Sequence, residues 1–409
     1  MLIKRSSKTW LLMLVMLAAA GAPKVMAAGP QLSPYQYQQL SQAAELRERQ
    51  QYPQAEKLLV ELLGRLNEQT KASYALALTQ LKLGQLLLEQ QRYQEALNYY
   101  EQAVASGHVE AQQAQQLLLL RAQLNMSLAH WQQGISLLQQ WLNTTDASQQ
   151  QASHYHLLAQ AYLQLESWQS GAKAIERAIS MQTAAVPLNW YKMAMVSRSQ
   201  LEDWPQAIVW QKQLLAAEPQ QMQHWYQLSA LMLRAKQQRS ALASMRLAYQ
   251  QGLFTKPEHY TLLSQLLLRE GNAFFAASIV EQALEQNQLP RNKANQRLLS
   301  QAWLLAKQQQ QAGEALAKLI EIEPSNSNLR QYAQLLLQQQ QWAKAAQILA
   351  RLVEQQTEVE PKLWLMLAVA NVHLNNYQQA RQLLTKAQQD SRLQNETEVW
   401  LNYLKQVAS

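Results

Sequence analysis

The sequence predicts an all-α chain: a superhelical solenoid of about ten helix-turn-helix repeats closed by a C-terminal capping helix. Three observations carry this expectation. In residues 188–256 the packing residues recur about 34 positions apart, so that Tyr191, Met195, Ala207 and Leu214 are matched by Trp225, Ser229, Ala241 and Ala248. Pro187, Pro219, Pro257, Pro324 and Pro361 fall at the boundaries this spacing implies, where a helix must stop. The composition is that of helix: Leu, Ala and Gln dominate, and only 10 Gly and 11 Pro occur in 409 residues.

A period of about 34 residues is that of the tetratricopeptide repeat (TPR), a pair of antiparallel helices that cannot bury its apolar face alone. In chain order the units start near residues 36, 77, 115, 152, 188, 222, 257, 293, 326 and 361, filling 36–394. Pro53 and Pro205 each follow an aromatic residue and precede Gln-Ala, at the first turn of a second helix, where a missing N–H costs nothing. The second unit reads Leu83-Gly84, Tyr93, Ala96, Tyr100 and Ala103; Gly84 and Ala96 are small because the paired helices cross there. Trp131, Gly134, Trp141, Trp168, Gly171 and Ala178 continue the pattern, as do Tyr260, Ala276, Trp303, Ala312, Ala333, Trp342, Trp364 and Ala380. The stretch from Glu61 to Gln90 implies longer helices or a longer connection. Residues 395–409 read as one helix that covers the last stacking face. The glutamine runs 308–311 and 338–341 fall between paired helices and coat solvated faces.

Residues 1–27 read as a signal peptide: Lys4, Arg5 and Lys8 precede an apolar run from Trp10 to Ala20, and Val25-Met26-Ala27 offers small residues for cleavage. Residues 28–35 form a polar lead-in with Pro30 and Pro34. The expected location is the periplasm, with an uncleaved N-terminal anchor as the alternative. The formal charge of +8 includes Lys4, Arg5, Lys8 and Lys24 with no acid before Ala28, so about +4 remains after cleavage. That balance, without a dense basic stripe, argues against nucleic acid. No later apolar run is long enough to span a bilayer.

Catalytic patterns are missing. The chain has no Cys, three Asp (Asp146, Asp203, Asp390) and seven scattered His, and it lacks a Gly-rich phosphate loop, HExxH or a serine elbow. His154 and His156 stand two residues apart on a helix and point away from each other. No catalytic, cofactor or metal residue is expected. Binding remains. With the first helix of each unit lining a concave face, positions 2, 5, 9 and 12 reach the groove, which places Lys192, Tyr226, Thr261, Gln265, Arg297, Gln301, Arg330, Gln334 and Lys362 there. Arg297 and Arg330 hold the same position in adjacent units. Amides that bond a peptide backbone and arginines that pair with carboxylates suit an extended protein segment. The asparagine that the carboxylate clamp of chaperone-binding TPR domains needs at position 9 is replaced by Gln, Val or Ala.

Further residues carry a resemblance: Asn189-Trp190-Tyr191, the Trp204 unit, His224-Trp225-Tyr226-Gln227-Leu228, Ala248-Tyr249-Gln250-Gln251-Gly252-Leu253, Ala276-Ala277, the Asn295–Trp303 helix and Val399-Trp400-Leu401-Asn402-Tyr403-Leu404. In these the chain resembles the TPR-domain proteins encoded with TonB energy-transduction systems of gamma-proteobacteria. It departs from them in its glutamine content and at Ala273-Phe274-Phe275, where a proline is usual. The resemblance implies a non-enzymatic periplasmic scaffold, accessory to TonB-dependent outer-membrane transport, holding a segment of TonB or of its proton-channel partners. An envelope-biogenesis factor assisting outer-membrane protein or exopolysaccharide assembly is the alternative.

Overall fold

The computed structural model describes residues 32–68, 73–356 and 358–407. The signal peptide expected at residues 1–27, and residues 28–31 of the lead-in, lie outside them. Among the described residues the regular structure is helical throughout, in 21 α-helices and two short 3₁₀ turns. They form two compact groups, within residues 1–182 and 183–409.

In the first group α1 (Pro34–Glu48) pairs with α2 (Tyr52–Asn67), α3 (Tyr74–Glu89) with α4 (Tyr93–Ala105), α5 (Ala111–Ser127) with α6 (Trp131–Thr144), and α7 (Ala152–Gln164) with α8 (Trp168–Met181). Both α2 and α3 run to 16 residues, which accounts for the longer spacing there. The second group holds α9 (Leu188–Gln200) with α10 (Trp204–Ala217), α11 (Met222–Arg234) with α12 (Gln238–Gln250), α13 (Pro257–Arg269) with α14 (Ala273–Glu285), α15 (Lys293–Leu305) with α16 (Gln309–Ile322), α17 (Asn326–Gln338) with α18 (Trp342–Glu354), and α19 (Pro361–His373) with α20 (Tyr377–Ala387). A last helix, α21 (Gln394–Val407), lies on α19 and α20 with Thr397 and Leu404 fully buried. Its outer face leaves Val399, Tyr403 and Val407 exposed.

One backbone device closes all ten pairs. The residue after each first helix's cap adopts positive φ, from 53° to 76°: Gln50, Gln91, Ala129, Glu166, Glu202, Lys236, Gly271, Lys307, Gln340 and Asn375. In the second pair the Gln91 amide donates to the Leu88 carbonyl (3.0 Å) and the Arg92 amide to the Leu87 carbonyl (2.9 Å), and the same two bonds recur at every turn. These bonds satisfy carbonyls that a helix end would otherwise leave open. The Arg92 carbonyl then accepts from the Ala96 amide (3.0 Å), so the residue that finishes one helix begins the next.

Side chains fill the crossing that this turn creates. A Cβ placed on Gly84 of α3 would meet Tyr100 Cε1 of α4 at 2.8 Å, and one on Gly134 of α6 would meet Met126 Cγ of α5 at 2.6 Å. Ala96, Ala207, Ala241, Ala276, Ala312, Ala345 and Ala380 are all fully buried. Seven of the ten second helices start with Tyr or Trp, and at Trp204 and Trp342 the ring fastens its pair to the next. The Arg234 guanidinium lies 5.3 Å over the Trp204 ring, and His373 stacks on Trp342 at 3.8 Å.

Nine of the ten turn residues carry a Cβ in a conformation that costs an L-residue about 1–2 kcal/mol, and only Gly271 avoids it. A Cβ at Gly271 meets nothing within 4 Å, so Gly271→Ala isolates the backbone term and lowers stability by about 1 kcal/mol. Ala129→Gly acts in the opposite sense, raising stability by up to about 1 kcal/mol after the unfolded-chain entropy is offset. Urea unfolding followed by far-ultraviolet circular dichroism measures both.

Candidate functional site

The first helices of the second group, α9, α11, α13, α15, α17 and α19, are each 13 residues long. Their core-facing positions 8 and 11 are filled alike: Ser264 and Leu267 in α13, Ser300 and Trp303 in α15, and Ala333 and Leu336 in α17 are all buried. Helical periodicity puts positions 2, 5, 9 and 12 on the other side of each helix. Because successive pairs repeat the same turn and crossing, equivalent positions of neighbouring helices form rows.

Two rows are well developed. Gln265, Gln301 and Gln334 occupy position 9 of α13, α15 and α17, with Gln265 and Gln301 exposed and Gln334 half-buried. Three residues later in each helix come Leu268, Leu304 and Leu337, half-buried against the core. Together they make an amide strip beside an apolar strip. Sequence reasoning missed the leucines, although their constant offset from the glutamines was there to read.

The remaining predicted groove residues divide by what holds them. Lys192 and Lys362 are exposed. The Thr261 hydroxyl donates to the Pro257 carbonyl of its own helix (3.1 Å). Tyr226 packs against the core, its ring 5.6 Å from that of His259. His259 Nδ1 in turn accepts from the Thr255 and Lys256 amides, both at 3.3 Å, and burial lowers its pKa.

Arg297 and Arg330 are not free cations. Arg297 donates through Nη2 to Glu323, whose second oxygen lies 2.6 Å from Lys293 Nζ, and Arg330 Nη1 lies 2.6 Å from Glu360. The hydrogen bonds from Lys293 and then from Arg297 hold the Glu323 carboxyl below the usual carboxylate range. Each acid comes from the junction that follows the arginine's own helix pair. Glu218, at a third junction, bonds His224 Nε2 at 2.8 Å. All three acids directly precede a proline, and that repeated Glu-Pro was the sequence signal for these partners.

His154 and His156 serve packing. The His154 ring lies 4.5 Å from that of Trp141, edge to face, and its Nδ1 accepts from the Gln151 amide (3.0 Å). Burial depresses the pKa of His154 and brings that of His156 down to about 4.

Residues 81–152 and 332–393, one stretch in each helix group, match the family model of the tetratricopeptide repeat. No curated protein matches the sequence. Among solved structures the chain is similar to a tetratricopeptide repeat protein from Parabacteroides merdae, at 14% identity over 66% of this chain and 99% of that one, with a TM-score of 0.35. It is also similar to the C-terminal part of a TPR repeat-containing protein from Cytophaga hutchinsonii (12% identity, 60% and 96% covered, TM-score 0.38) and to MamA from Desulfovibrio magneticus (14%, 41% and 93%, TM-score 0.32). The family match and the ten identically closed helix pairs support a tetratricopeptide repeat solenoid.

The depressed His156 pKa means that the fold favours the neutral ring. Its contribution is complete above the unfolded value of about 6.5 and is lost as pH falls from there towards 4, about 2 kcal/mol having gone by pH 4.5. Urea midpoints at pH 7.5 and 4.5 measure the loss, and His156→Gln reduces the difference between them.

Proposed function

We propose that this chain is a periplasmic scaffold of a TonB-linked uptake system, holding an extended protein segment along the face formed by α9, α11, α13, α15, α17 and α19. Repeat folds of this type are in general non-enzymatic protein-interaction scaffolds. The observation that carries the reading is the repetition of one composite surface in three consecutive helices: glutamine, leucine and, in α15 and α17, an arginine at equivalent places. Amide side chains can bond a peptide backbone at regular intervals, the leucines accept its apolar side chains, and each arginine can exchange its internal glutamate for a carboxylate of the ligand. The TonB assignment is supported by the Trp-Tyr pairs at Trp190-Tyr191 and Trp225-Tyr226 and by the Trp400–Leu404 segment, through the resemblance they carry.

The exchange gives opposite outcomes for the two halves of each ion pair. The pairs lie near the surface, 37% and 45% exposed at Arg330 and Glu360 and 43% and 22% exposed at Arg297 and Glu323, so removing either partner costs the fold little. Arg297→Gln with Arg330→Gln leaves Glu360 unpaired and Glu323 with Lys293 alone, so that both repel an acidic ligand, and is expected to weaken binding of a purified periplasmic TonB segment about tenfold or more. Glu323→Gln with Glu360→Gln, which frees the arginines, is expected to strengthen it. Titration calorimetry with that segment reads both; wild-type protein that binds none of it, together with normal growth of a deletion strain on receptor-dependent nutrients, removes the TonB reading.

A further inference from the structure

The edge of the second helix group on which the closing turns stand has a different chemistry from the groove. Phe275 is 63% exposed and Phe274 49% exposed, on successive residues of the first turn of α14. Their rings lie 6.0 Å apart, edge to face, and Phe274 rests at 5.5 Å on Trp303 of α15. At the place of Phe275 the other second helices of this group carry Gln206, Ser240, Gln311, Lys344 and Gln379. The position is exposed in four of these five helices and half-buried only at Gln311, and the mostly exposed Phe275 ring adds little to the packing of its own chain. Of the three Phe in the sequence, only Phe254 is buried. Leu305, at the end of α15, adds a third large apolar side chain, 65% exposed.

Cations surround these residues. The turn between α11 and α12 presents Lys236 and the first turn of α12 Arg239, α13 ends in Arg269, and the turn between α15 and α16 presents Lys307, all exposed. The one carboxylate among the residues of these three turns and the adjoining helix ends is Glu270, 3.3 Å from Arg239. The patch is bounded on both sides: the α9–α10 turn carries Glu202 and Asp203, and the α17–α18 turn is Gln339-Gln340-Gln341.

We propose that this edge docks on an anionic lipid bilayer, with Phe274 and Phe275 inserted at the headgroup level and Lys236, Arg269 and Lys307 set against lipid phosphates. Aromatic rings favour the interface, and basic residues near an anionic surface each add about 1 kcal/mol. Charge complementarity selects the occupant: two rings standing outward from a row of turns enter a fluid surface, and cations repeated unit by unit meet headgroups that need no fixed register. No described helix is long and apolar enough to cross a membrane, so the contact is peripheral.

The test is co-sedimentation with vesicles of phosphatidylcholine alone or with about one third phosphatidylglycerol. It uses the chain from Ala28, which keeps every described helix and omits the apolar run Trp10–Ala20 that would partition by itself. The protein is expected to bind the anionic vesicles, less so as salt is raised, and not the neutral ones. Phe274→Ser with Phe275→Ser is expected to weaken this binding about tenfold or more. Each of Lys236→Glu, Arg269→Glu and Lys307→Glu is expected to weaken it about fivefold or more. All these side chains are exposed, so an unchanged melting temperature reports an intact fold. Wild-type protein that ignores the anionic vesicles, binds both kinds equally, or keeps its affinity in the phenylalanine variant overturns the proposal. A soluble acidic protein that requires the same residues, with no vesicle binding, would assign the edge to a protein partner instead.

Discussion

The left-handed turn that closes each helix pair is the constraint on which everything else in this chain rests. Two backbone hydrogen bonds end the first helix, and the carbonyl of the residue that donates the second of them opens the next helix. The angle between paired helices is thereby set by main-chain geometry, and the turn residue can be Gln, Ala, Glu, Lys, Gly or Asn. Nine of these ten choices are unfavourable by about 1–2 kcal/mol locally. The packing that follows offsets the cost: buried small residues sit at every crossing, alanine in eight pairs from Ala55 onward and Gly134 and Gly171 in the other two, with Leu62, Leu86, Leu138, Ile175, Leu214, Met245 and Leu263 between them. Without the turn those residues have no facing helix, and without the packing the turn has no reason to persist.

Identical turns make identical edges, and so chemistry that varies from unit to unit is displayed in rows. In the second group three rows differ sharply. Junction acids, each before a proline, reach back to Arg297 and Arg330 or onward to His224. The candidate groove carries a strip of glutamines beside a strip of leucines. The turn edge carries Lys236, Arg269 and Lys307 around Phe274 and Phe275. None of these rows is needed for a helix pair to close, and so each is free to carry a binding function.

The solenoid was legible because its determinants are residue types with one physical meaning: prolines that stop helices, and small and aromatic residues at a fixed separation. The turns were less so. A positive φ at Gln91, Glu166 or Lys307 has no signature in residue type, since only Gly271 and Asn375 are usual choices there, and it was the constancy of the surrounding spacing that located them. For the candidate groove the faces of the helices could be read, but not what already occupied them. Arg297 and Arg330 looked like free cations because Glu323 and Glu360 stand far along the chain. Only stacking brings them together. Phe274-Phe275 stood out as a departure from the proteins the sequence resembles, and its meaning depended on exposure, which periodicity alone does not give.

The paired arginines also fix where binding energy can come from. A ligand carboxylate that displaces Glu323 or Glu360 exchanges one partly exposed ion pair for another, and such pairs differ little in free energy. The net Coulombic gain is therefore small, while the displaced glutamate keeps its charge in water and the arginine keeps an acid. Affinity has to arise from Leu268, Leu304 and Leu337, whose half-buried side chains gain roughly 25 cal/mol for each Å² removed from water, and from amide bonds at Gln265, Gln301 and Gln334. The arginines act on selectivity instead. An apolar segment without acids meets arginines still covered by their own glutamates and is indifferent to them. A segment with basic residues at that spacing is repelled once it disturbs the pairs, and one with acids one repeat apart is admitted without cost. On the proposed reading, apolar and amide contacts thus set how tightly this face holds a partner, and the internal ion pairs set which partner it admits.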